Sequence, residues 1–178
     1  MINNEFYELV NKSNITTLGY SFIDERLKDE LISQISYIDV GKIDSSFSIK
    51  SFIRDIKLNK ILNGDFSFEK ITHILFDTNN IKTGSTLKER IERRHFFSFL
   101  KTSEYDENIK IIITSSTIDN VLAYPDTLVP RLESELLYIS DLVMVICENK
   151  KHKSLKIEKN RLGIYTQNKF LKIEHDSK

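Results

Sequence analysis

The stretch Ile71-Thr72-His73-Ile74-Leu75-Phe76-Asp77 decides the fold. A short, nearly unbroken apolar run reads as a strand buried on both faces, and here a carboxylate closes its C-terminal end. A second such run, Lys110 to Thr114, has Ser115, Ser116 and Thr117 just beyond it. Between the two lies a charged segment, about 86–103, whose apolar side is predicted to be Leu87, Ile91, Phe96, Phe97 and Leu100. Apolar strands separated by amphipathic helices are the pattern of a parallel sheet covered on its faces.

The same alternation extends in both directions. On the N-terminal side, residues 2–12 predict a helix with Phe6, Leu9 and Val10 on one face, and Ile15–Gly19 predicts a strand. A helix through Ile23, Leu27, Leu31, Ile32 and Ile35 follows, then a strand Ser36–Val40 ending at Gly41. Residues 48–62 predict another helix through Ile49, Phe52, Ile53, Ile56 and Ile61, stopped near Asn63-Gly64. On the C-terminal side, Pro125 and Pro130 bracket a loop before a helix around 131–139, and Leu142–Cys147 is a core strand. Two alternating strands, Ser154–Glu158 and Phe170–Glu174, close the chain around the turn Asn160-Arg161-Leu162-Gly163, and Lys150–Lys153 reads as a solvated turn. The expected architecture is α/β: one domain over 1–178, with a mostly parallel five-stranded central sheet, right-handed crossovers and a C-terminal antiparallel hairpin.

Composition narrows the function. The chain has 178 residues, 26 Lys+Arg against 26 Asp+Glu, and 40% hydrophobic residues. That is enough for one well-formed core, and the zero net charge argues against a free-standing polyanion binder. The single cysteine, Cys147, excludes an internal disulfide and a multi-thiolate site, and reads as a buried reduced thiol. His73, His95, His152 and His175 are scattered without ligand spacing, which argues against zinc. The N-terminus lacks the pattern of a signal peptide, and no apolar run approaches the ~18 residues of a membrane span. A cytoplasmic protein without membrane contact is expected.

In open α/β sheets, ligands bind beyond the carboxyl ends of the strands. Those positions are Gly19 onward, Asp39, Asp77 and Ser115-Ser116, with Asp77 and Ser115 expected to share one edge. The form hhhhD at Ile74–Asp77 is that of a Walker B strand, whose carboxylate holds Mg²⁺ beside a nucleotide's phosphates.

Toward the C-terminus, Lys156-Ile157-Glu158-Lys159-Asn160-Arg161-Leu162-Gly163 resembles the K-N-R-x-G hairpin of the RecA-like ATPase core of DnaB-type hexameric replicative helicases. Leu132-Glu133-Ser134, followed by Ser140-Asp141-Leu142-Val143-Met144-Val145, is similar to the segment leading into that hairpin. The ordered set runs across residues 71–174: Walker B-like strand 71–77, hairpin 154–174. The resemblance implies a RecA-like three-layer fold. It also implies that Lys159 and Arg161 reach across a subunit interface to a neighbour's γ-phosphate, as trans-acting finger residues.

The N-terminal half departs from that family where catalysis resides. A phosphate-binding loop reads G-x-x-x-x-G-K-[ST]. In the corresponding region, about 14–35, Gly19 is followed after four residues by Asp24-Glu25-Arg26, with no Lys or hydroxyl in register. An acidic pair facing a triphosphate repels it. Gly41-Lys42 lacks an upstream Gly and is followed by Ile43. Asp39 stands near the place of the family's catalytic Glu, and Ser115-Ser116 near its polar sensor.

The resemblance therefore implies a degenerate member: a DNA replication or recombination protein, of phage type, without independent ATPase activity. It would act as a partner or regulator of an ATPase assembly, or as a homo-oligomer of that type. No cofactor is expected for the isolated chain; ATP and Mg²⁺, with Asp77 as the metal ligand, belong to a subunit interface if anywhere. The alternatives are a divergent but active ATP-dependent helicase and a pure protein-interaction module, loader or inhibitor. Contact with single-stranded DNA is expected to be weak, because the loop 119–130 contains no Lys or Arg before Arg131.

Overall fold

Continuous apolar strands need cover on both faces, and the chain supplies it. The computed structural model describes residues 4–43, 47–48, 50–55, 58, 72–82, 86–102, 109–119, 128–149, 152–163 and 169–173. Helix α1 (Asn4–Lys12) leads into β1 (Ile15–Tyr20); a single 3-10 turn, Phe22–Asp24, joins β1 to α2 (Glu25–Ile32). Strand β2 (Tyr37–Lys42) follows, then a helix α3 described over 50–55, β3 (His73–Asp77) and α4 (Leu87–Thr102). The remainder is β4 (Lys110–Asp119), β5 (Leu128–Pro130), α5 (Glu133–Ile139), β6 (Leu142–Asn149), β7 (His152–Asn160) and β8 (Phe170–Lys172).

The sheet runs β2-β3-β4-β1-β6-β7-β8. Strands β2, β3, β4, β1 and β6 are mutually parallel, and β7 and β8 add antiparallel. The expected five parallel strands and C-terminal antiparallel extension are present. Side chains alternate between two apolar layers, as the period of a strand requires. Leu18, Tyr20, Leu75, Ile112, Leu142 and Met144 face α1 and α2, meeting Phe6, Leu9, Leu27 and Leu31. Ile15, Ile74, Phe76, Ile111 and Ile113 face the other way, onto Phe96, Phe97, Leu100, Leu136 and Ile139 of α4 and α5. Fully burying side chains of this size contributes about 1.5–3 kcal/mol each before the cost of ordering them. This is the three-layer arrangement implied by the resemblance.

Several local expectations are corrected. Strand β4 does not stop at Thr114: β5 pairs with its far half (Thr117↔Pro130, Ile118↔Val129, Asp119↔Leu128), so Ser115 and Ser116 lie inside the strand. Strand β7 runs on through Asn160, which ends the strand rather than opening the following turn. Ile23 is 86% exposed, and the α2 helix begins only after it. Leu87 and Ile91 of α4 are 74% and 46% exposed, so the apolar side of that helix consists of Phe96, Phe97 and Leu100. Lys153 is a β7 residue with a buried partner, not part of a solvated turn. Cys147 is only half-buried, and burial pushes its thiol up. Ile49, Ile56, Ile61, Asn63, Gly64 and Lys150 lie outside the described residues. Among the described residues no helix is long and apolar enough to cross a membrane.

Candidate functional site

The parallel strands reverse their order around β1, so the crevice at the carboxyl ends of β1, β3 and β4 is where an open α/β sheet places a ligand. The β1–α2 connection enters it first. It is four residues, Ser21–Asp24. Asp24 is turned inward: 3% exposed, it takes the Ser21 hydroxyl on one carboxylate oxygen and Lys153 Nζ, 2.8 Å away, on the other. The sequence suggested an Asp24-Glu25 pair facing a ligand; instead a lysine from β7 neutralises Asp24 and ties the loop to the sheet. Glu25 is exposed, as is Arg26, which pairs with Glu30 at 3.1 Å. At the tip of the turn Phe22 stands 81% exposed.

Gly19 serves packing in this structure. A Cβ there would meet Pro130 Cγ, Thr117 Cγ2 and Val145 Cγ2, each at 3.2 Å, so a larger residue would make the neighbouring strands give by a few tenths of an ångström. Lys28, one turn into α2, lies over the Tyr20 ring at 4.6 Å.

Asp77 is the hub of the crevice. Oδ2 accepts from the Tyr20 hydroxyl (3.0 Å), Thr114 Oγ1 (3.1 Å) and Asn79 Nδ2 (3.1 Å), and Oδ1 accepts from the Asn79 backbone N–H (2.7 Å). Burial, reinforced by the Asp77 charge, pushes the Tyr20 hydroxyl far above its ordinary value, so it stays a donor. Asn79 completes the link: Nδ2 also donates to the Tyr20 oxygen (3.0 Å), and Oδ1 accepts from the Ser116 N–H (2.8 Å). Arg131 locks the loop after β3, donating to the carbonyls of Asn79 (2.7 Å) and Ile81 (3.1 Å). Ser115 is fully buried, and its hydroxyl donates to the Arg131 carbonyl at 3.0 Å.

Such an environment does not suit Mg²⁺. A hard cation needs several oxygen ligands in near-octahedral array. Four donors already occupy an anion with about four acceptor positions, and the groups turned toward it present hydrogens. Among the described residues no cluster of three His, Cys, Asp or Glu side chains could hold a metal.

Asp39 is an exposed mid-strand residue on β2, opposite Leu75 rather than Asp77. Its Oδ1 accepts from the Gly41 N–H at 2.7 Å, bracing the irregularity where Gly41 adopts a left-handed φ of 76°. Lys159 and Arg161 are elsewhere. Lys159 Nζ donates to the Leu137 carbonyl and Arg161 Nη2 to that of Tyr138 (3.2 Å), so both hold the C-terminal end of α5, where cations complement the helix dipole. Strand β7 stands four inter-strand steps from β3, about 19 Å across the sheet.

The sequence pointed to Asp77 but missed Tyr20, Asn79, Thr114, Arg131 and Lys153. Asp77 carried a signal for the turn at Asn79, since an Asp side chain commonly accepts from the backbone N–H two residues on. Lys153 and Arg131 act through contacts distant in sequence and carried none.

No family model matches the chain, and no curated protein matches it in sequence. Among solved structures it is similar to the crystal structure of the RadB recombinase, at 11% identity and a TM-score of 0.46, over 90% of this chain and 86% of that one. The two folds are only loosely alike at that score.

Proposed function

We propose that the chain is a RecA-like domain without nucleotide hydrolysis of its own, working as a non-hydrolysing partner or regulator of an ATPase assembly in DNA replication or recombination. One observation carries this reading: where a phosphate-binding loop belongs, the chain has a four-residue turn pinned by the buried Asp24–Lys153 pair. A phosphate approaching that turn finds no glycine-rich cradle of amides and no lysine in register, both of which the chemistry needs. The motif order along residues 71–174 and the three-layer sheet support the RecA-like part of the reading. Lys159 and Arg161 stand too far from Asp77 to serve a phosphate in their own chain. Service in trans requires them to leave the α5 carbonyls.

The test is a titration of the chain with a fluorescent ATP analogue and Mg²⁺ up to millimolar concentration. The expected result is no saturable binding, with or without Mg²⁺. Saturable, Mg²⁺-dependent binding refutes the proposal and makes a divergent ATPase the better reading.

A further inference from the structure

We draw no further inference here: the strongest candidate, the exposed apolar pair Phe22 and Ile23 at the tip of the β1–α2 turn, is held out by the Asp24–Lys153 pair, but nothing in the structure shows what covers it.

Discussion

His73 makes folding sensitive to pH in a way the structure quantifies. Its ring sits at the start of β3, 1% exposed, between Tyr37 and Lys110 on the neighbouring strands. Nδ1 shares a hydrogen bond with Thr72 Oγ1 at 2.7 Å. The Val10 carbonyl lies near enough to favour a proton on the ring, yet Nε2 makes no hydrogen bond of normal geometry. Burial dominates, and with the Lys110 charge it lowers the imidazole from 6.5 to about 4. A folded-state value below the unfolded one means the unfolded chain binds the proton first. The neutral ring's contribution is therefore present above pH 6.5 and lost as the pH falls toward 4. At 1.36 kcal/mol for each pH unit of difference, the loss is about 2 kcal/mol by pH 5 and on the order of 3 kcal/mol below pH 4.

The assay is urea unfolding of the native chain and of His73→Phe, which keeps a ring but cannot titrate, at several pH values between 7.5 and 4.5. Contributions from carboxylates are common to both proteins and cancel in the difference. The wild-type free energy is expected to fall relative to the variant by about 2 kcal/mol between pH 7.5 and 5. NMR of the native chain gives an independent reading: the His73 ring resonances should not move above pH 5. Parallel pH profiles, or a His73 that titrates near 6.5, would refute the reasoning.

Three further outcomes follow from the strand-end crevice. Gly19→Ala is expected to lower stability by about 1–3 kcal/mol in urea melts, since its methyl meets three packed carbons at 3.2 Å. Lys153→Met leaves the Asp24 carboxylate buried without its cation and is expected to cost about 3 kcal/mol at pH 7; the double variant Lys153→Met, Asp24→Leu should recover much of that loss. Tyr20→Phe removes a donor from Asp77 and an acceptor from Asn79 at once, with an expected loss of about 1–3 kcal/mol.

Features encoded by neighbouring residues were legible in advance. The strand ending at Asp77 announces itself because a run of apolar residues closed by a carboxylate needs no distant partner to be read, and Asp77 lies at the crevice as expected. Ser115 and Ser116 were misplaced because the second half of β4 exists only through pairing with β5, a strand of three residues ending in proline. The direction of Asp24 depends on Lys153, near the other end of the chain. Helix α4 was predicted with a single apolar side, yet at about 100° per residue Leu87 and Ile91 point roughly 150° away from the mean direction of Phe96, Phe97 and Leu100. Periodicity counted correctly would have separated two stripes. Only the contact with α5 reveals which of them enters the core.

A catalytic edge holds polar groups whose bonds are completed by substrate, and that incompleteness costs stability. The crevice here shows the opposite arrangement. Asp77 has four donors, Asn79 uses both its amide nitrogen and its carbonyl oxygen, Arg131 grips two carbonyls, and Asp24 has both a hydroxyl and an ammonium. A buried polar network satisfied to this degree specifies and stiffens a structure, because breaking any member exposes the others to a low-dielectric interior. The buried groups without a partner, among them the Thr16 and Thr117 hydroxyls and His73 Nε2, stand outside this network. The strand ends around Asp77 therefore stiffen the sheet whether or not the chain meets a nucleotide.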